Sequence, residues 1–264
     1  MVNTVLCIGA STYSEGTPQK INEALKSSNF LEKGSVIFTC HKYFPLYSEP
    51  GYPRLIRQQL NQWKEEIKEQ HFPDCQLFFI DDINTLYNIQ SGYIYILPDT
   101  FFTSVEYSEY TPFEVGIHQE NNNLRIQCFA RNFNLMRYYE LFTDDIRYLP
   151  CIDLIMGQFS KTDVSNKLGL ILAGMEQDGA KGLTEIGRKG GKIAIQDQDE
   201  YCEISRTKPD PNSLVGGKIK IGNKDMPKAA ISEAEKHHLD YELISLYGKE
   251  NCKSLTDWLQ ENIS

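Results

Sequence analysis

The chain has 264 residues, 41% hydrophobic and 24% charged, with a mean hydropathy of −0.43. That length supports one large domain with a sizeable core, and an aromatic content of 11% excludes a compositionally disordered chain. With 36 acidic against 27 basic residues the net charge is −9, which argues against nucleic acid or anionic lipid as a partner through the global field.

Read in chain order, short apolar runs rich in β-branched and aromatic residues alternate with helical spacing. Val2–Gly9 reads as the first strand, and Pro18–Ser27, with Ile21 and Leu25 on one face, as the first helix. Ser35–Cys40 is a second strand. Pro53–Gln70 is a long amphipathic helix that places Leu55, Ile56, Leu60, Trp63 and Ile67 inward. Gln76–Ile80, Tyr93–Leu97 and Leu124–Ala130 are further strands, with Glu120–Asn123 a polar tip in a hairpin setting. Cys151–Phe159 reads as a helix and Leu168–Ala173 as a strand. Asp178–Lys189 is a helix with Asp178 at its N-cap and Gly190-Gly191 at its end. Lys192–Ile195 (strand), Pro227–His237 (helix), Tyr241–Leu246 (strand) and a helix from about Ser254 close the chain.

This alternation predicts an α/β fold: a doubly wound, mostly parallel sheet with helices on both faces and a small antiparallel excursion between about Ile80 and Arg147. One domain over 1–264 is expected, interrupted by a long loop at 206–224. No apolar run reaches the roughly 18–20 residues a membrane span needs, and the N-terminus lacks the basic start of a signal peptide. The seven cysteines include no Cys-x-x-Cys pair and the five histidines no metal spacing, so neither a zinc ribbon nor a redox motif is signalled. Cys7, Cys40 and Cys128 lie in apolar runs, as buried thiols of a reducing compartment do. The expectation is a cytoplasmic protein without metal or membrane insertion.

Ligands of parallel α/β sheets gather at the carboxyl ends of the strands. There Ser11 follows Val5–Ile8, His41 follows Val36–Cys40, and Asp178 follows Leu170–Ala173. Serine, histidine and aspartate at one edge form the set for nucleophilic acyl transfer: serine attacks, histidine takes its proton, and aspartate orients the imidazole. Singly, each has a plainer reading: Ser11 as a turn residue, His41 as a hydrogen-bonded strand end, Asp178 as a helix cap. The order Ser…His…Asp and the absence of Gly-x-Ser-x-Gly disfavour an α/β-hydrolase. The turn Gly9–Gly16 matches neither the P-loop nor Gly-x-Gly-x-x-Gly, which leaves a phosphate nest as a weak rival.

The segment Gly174-Met175-Glu176-Gln177-Asp178-Gly179-Ala180-Lys181-Gly182-Leu183 resembles the Gly-Met-x-x-Asp-Gly-Ala-x-Gly-Leu stretch of the chemotaxis protein-glutamate methylesterase (CheB-type) catalytic domain. Ile8-Gly9-Ala10-Ser11-Thr12, Pro150-Cys151-Ile152-Asp153, Ile193–Asp197 and Met226-Pro227-Lys228-Ala229-Ala230 match further family segments in the same order. The resemblance implies Ser11 as nucleophile, His41 as general base and acid, and Asp178 as its partner. Thr12 and Met175 would then lie in the substrate or oxyanion environment. It also implies hydrolysis of glutamyl methyl esters on methyl-accepting chemoreceptors or a related methylated protein, with glutamine deamidation as a related activity and no cofactor.

The chain departs from the family pattern in places. Tyr13-Ser14 replaces a Gly-Gly pair, Tyr148 a histidine, and Lys42-Tyr43-Phe44 a Met-Pro pair. With the first strand starting at residue 2, no upstream receiver domain is expected. Two readings stand at this point: a serine esterase, and a catalytically silent interaction domain that keeps the fold in a chemosensory-like system.

Overall fold

The computed structural model describes residues 2–11, 16–41, 61–80, 85–97, 113–120, 123–130, 152–174, 177–200 and 225–263. An eight-stranded sheet spans the molecule in the order β11-β10-β9-β8-β1-β2-β5-β3, and every neighbouring pair is parallel. Its strands are β1 (Thr4–Ser11), β2 (Gly34–His41), β3 (Gln76–Phe79), β5 (Tyr93–Leu97), β8 (Asn166–Ile171), β9 (Lys192–Gln196), β10 (Glu242–Ser245) and β11 (Lys253–Ser254). The expected antiparallel excursion is a separate sheet, β4-β7-β6, made of β4 (Leu86–Asn88), β7 (Asn123–Ala130) and β6 (Phe113–Glu120). Glu120 pairs with Asn123, so the polar tip is a hairpin end.

The helices cover both faces, as a doubly wound sheet requires. Even-numbered positions of β1, among them Leu6, Ile8 and Ala10, pack with Val36 and Phe38 of β2 under α1 (Thr17–Ser27), α2 (Phe30–Lys33), α3 (residues 61–71) and α7 (Leu255–Asn262). Odd-numbered positions, Val5 and Cys7 with Ile37 and Ile195, pack under α4 (Ile152–Ser160), α5 (Ala180–Arg188) and α6 (Asp225–Lys236). This period-two split explains why the strands read as continuous apolar runs: both sides are covered.

Local chemistry sets the helix limits. Pro18 starts α1, where its missing N–H costs nothing. Asn29, left-handed at φ 54°, ends that helical run before α2. The last turn of α3, Ile67–His71, is π-helical, and Phe72 N–H donates to Ile67 O across it at 2.9 Å. The proposed start of that helix at Pro53 lies outside the described residues. Gly190, at φ 81°, terminates α5 as the Gly-Gly pair implied.

One expectation is corrected. Asp178 does not cap the helix that follows it, because Gly179 at φ 100° is the N-cap of α5. A left-handed residue there suits glycine, and it turns the Asp178 side chain toward a different helix. Among the described residues, no helix is long and apolar enough to cross a membrane.

Candidate active site

The carboxyl edge of the sheet assembles the candidate residues. Ser11 ends β1 and His41 ends β2, and the two are register partners. Neighbouring strands lie about 4.8 Å apart, so the two backbones are adjacent there.

Asp178 is anchored at the start of α4. Its Oδ2 accepts Ile152 N–H at 2.7 Å and its Oδ1 accepts Asp153 N–H at 2.9 Å, so it caps the first turn of α4. That helix end is pressed onto β1. A Cβ built on Gly9 would lie 2.5 Å from Ile152 Cγ2, a contact only glycine permits. Gly9 stands two residues, about 6.6 Å, before Ser11. The helix start that holds Asp178 therefore abuts the strand that ends in Ser11.

A polar chain fixes the loop that leaves β8. Ala173 N–H donates to Gln196 Oε1 at 2.9 Å, and Gln196 Nε2 donates to Glu200 Oε2 at 3.0 Å. Glu200, only 5% exposed, also accepts Ser245 Oγ–H and the Leu246 and Tyr247 N–H groups. The exits of β8, β9 and β10 are thus tied to one carboxylate. Beside it, Asp197 accepts Lys249 Nζ at 2.5 Å. Burial pushes the Asp197 carboxyl up, but Lys249 and the Asp199 and Glu200 N–H groups hold it below the usual carboxylate range.

Asp153 is the perturbed acid nearest the candidate site. Burial pushes its carboxyl up to about 6, and the neighbouring Asp178 charge adds to the rise. The Gly182 and Gly179 N–H groups and Lys181 act the other way.

Sequence reading reached Ser11, His41 and Asp178 from strand ends but passed over Asp153, Gln196 and Glu200 as functional residues. Asp153 stood in a quoted family segment, and its place one helix start from Asp178 needs the tertiary fold. Gln196 stood in another quoted family segment, and Glu200 gave no local signal. Thr12, Met175, Tyr13, Ser14, Tyr148 and the 206–224 loop lie outside the described residues. Among the described residues, no group of three or more His, Cys, Asp or Glu side chains could hold a metal ion. Cys7 is fully buried, and desolvation pushes its thiol far up, so it is no nucleophile.

Comparison with known proteins places this geometry. Residues 46–207 match the CheB methylesterase family model, a stretch that contains Asp178 and Met175 but neither Ser11 nor His41. A protein-glutamate methylesterase/protein-glutamine glutaminase of Syntrophomonas wolfei is 23% identical over 74% of this chain. One of Chromobacterium violaceum is 33% identical over 33% of it, and one of Pseudoalteromonas atlantica 39% over 20%. The aligned stretches cover 44%, 23% and 14% of those relatives, so this chain matches less than half of each. The catalytic domain of Thermotoga maritima CheB methylesterase superposes with a TM-score of 0.52 at 17% identity, covering 100% of this chain and 98% of that one. With more than half of its residues fitting the family model and its sheet built as that catalytic domain's is, the chain belongs to the CheB methylesterase family.

Proposed function

We propose that the chain is a serine hydrolase of the protein-glutamate methylesterase type, acting through Ser11, His41 and Asp178. One observation carries the reading: Ser11 and His41 are register partners at the carboxyl ends of adjacent parallel strands. Ser11 Oγ attacks the carbonyl carbon of a glutamyl methyl ester while His41 takes the hydroxyl proton. The tetrahedral intermediate collapses, the bond to the methoxy oxygen breaks, and His41 returns the proton to release methanol. Water, activated by the same imidazole, attacks the acyl-enzyme and frees the glutamate carboxylate and Ser11. Asp178 orients the imidazole and stabilises its charged form, while Thr12 and Met175 belong to the oxyanion and substrate environment. The same steps with ammonia as leaving group deamidate glutamine, the second activity in the relatives' names. The substrates are methyl-accepting chemoreceptors or a related methylated protein, and the reaction needs no cofactor.

A second reading is a silent interaction domain. Its support is that Tyr13-Ser14 stands where the family carries Gly-Gly, and Tyr148 where it carries a histidine. Methanol release from a methyl-glutamyl receptor peptide separates the two readings. The esterase reading expects release by wild type and loss of several powers of ten in Ser11→Ala. Equal release by a folded Ser11→Ala overturns the Ser11 assignment, and silence of both proteins favours the interaction domain.

A further inference from the structure

Two aspartates at the mouths of α4 and α5 cap each other's helices. Asp178, just before α5, accepts the Ile152 and Asp153 N–H groups of α4 at 2.7 and 2.9 Å. Asp153, in the first turn of α4, returns the arrangement: its Oδ1 accepts Gly182 N–H of α5 at 2.7 Å. The helix starts are also in direct contact. A Cβ on Gly182 would fall 2.7 Å from both Asp153 O and Met156 Cβ. Each helix offers unpaired N–H groups and a positive dipole end, and each receives its carboxylate from the other.

We infer that Asp153 is a positioning residue for Asp178: by capping α5 it fixes the helix start that carries Asp178, and so aims the carboxylate at the carboxyl edge of β1 and β2. The inference deepens the esterase reading and rests on it for the role of Asp178. The reciprocity itself stands on the four residues alone. None of the three bonds is local in sequence, since 25 to 29 residues separate donor from acceptor. Losing either carboxylate must therefore loosen both helix starts. The charge environment fits a brace under electrostatic load: Asp153 faces Asp178 and Lys181 across the junction, and burial with the Asp178 charge pushes its carboxyl up to about 6. Two carboxylates stay side by side there because backbone N–H groups solvate both.

Amide hydrogen exchange in the full chain reads this directly at two reporters, Ile152 N–H and Gly182 N–H. Asp153→Ala removes the acceptor of Gly182 but not that of Ile152, and Asp178→Ala does the converse. Reciprocal bracing predicts that each variant speeds exchange at both reporters, by about tenfold at the reporter whose own acceptor remains, as for one lost hydrogen bond. Asp153→Asn keeps an acceptor oxygen and restores slow exchange at Ile152. Faster exchange confined to the amide whose acceptor was removed overturns the inference. If Asp153→Ala does not fold, Asp178→Ala decides the matter alone through Gly182. For the active enzyme, kcat falls about tenfold in Asp153→Ala and returns in Asp153→Asn. Absence of wild-type turnover counts against the esterase reading only, because the exchange result is independent of catalysis.

Discussion

At the exit of β9 a single carboxylate, Glu200, sits among many donors, whereas at the mouths of α4 and α5 two carboxylates, Asp153 and Asp178, divide a few. Glu200 accepts from Gln196, Ser245, Leu246 and Tyr247, which belong to two strand ends and the loop after them. Its cluster is closed: four neutral donors surround one carboxylate, and the exits of β8, β9 and β10 are held together. The aspartate cluster is strained by design of its neighbours, with like charges side by side and Asp153 pushed up by burial. A balanced cluster serves the fold. A loaded one can hold a reacting group in place and can respond to pH, which is why perturbed acids concentrate at functional sites.

Breaking the closed cluster gives the largest effect on stability. Glu200→Ala strips the acceptor from four donors in a buried region, and a loss of about 3–4 kcal/mol in denaturant unfolding is expected. An unchanged midpoint would show that the donors find other partners. Gly182→Ala attacks the helix junction through sterics instead. The added methyl meets backbone at 2.7 Å, so a loss of about 2 kcal/mol is expected. A variant as stable as wild type would mean that α4 and α5 slide apart freely.

The smallest effect sharpens the contrast in charge. Burial holds the folded Asp153 carboxyl at about 6, above its unfolded value of 3.8, so ionisation of this group opposes folding. Wild type should therefore gain stability relative to Asp153→Asn as the pH falls through about 6, with the gain complete below about 4. The side chain is partly exposed, so the difference is on the order of 1 kcal/mol. Unfolding curves of the two proteins at pH 8, 6 and 4 check it. Parallel pH dependence would show that Asp153 carries no such load.

Most of the sheet was legible because its strands are covered on both faces and so appear as unbroken apolar runs. β1, β2, β5, β8 and β9 lie where the pattern places them. β4 and β11, of three and two residues, are too short to leave a period. β6 carries Gly116, His118 and Glu120 among its apolar positions and gave no strand signal alone, only through its hairpin with β7. The site was legible only by position. Asp178 was expected to cap the helix that follows it, but the amides it accepts belong to a helix 25 and 26 residues earlier, and no local pattern can reach that far. Glu200 escaped for the same reason, since its donors at residues 245–247 come from the next strand and its exit loop.

In the proposed mechanism Ser11 is a nucleophile activated by His41. Treatment with a serine-directed phosphonylating reagent, followed by peptide mass mapping, tests it most directly. One adduct per chain, on Ser11, is expected, with little or none in folded His41→Ala. An unlabelled wild-type chain, or an adduct on another residue, would contradict it.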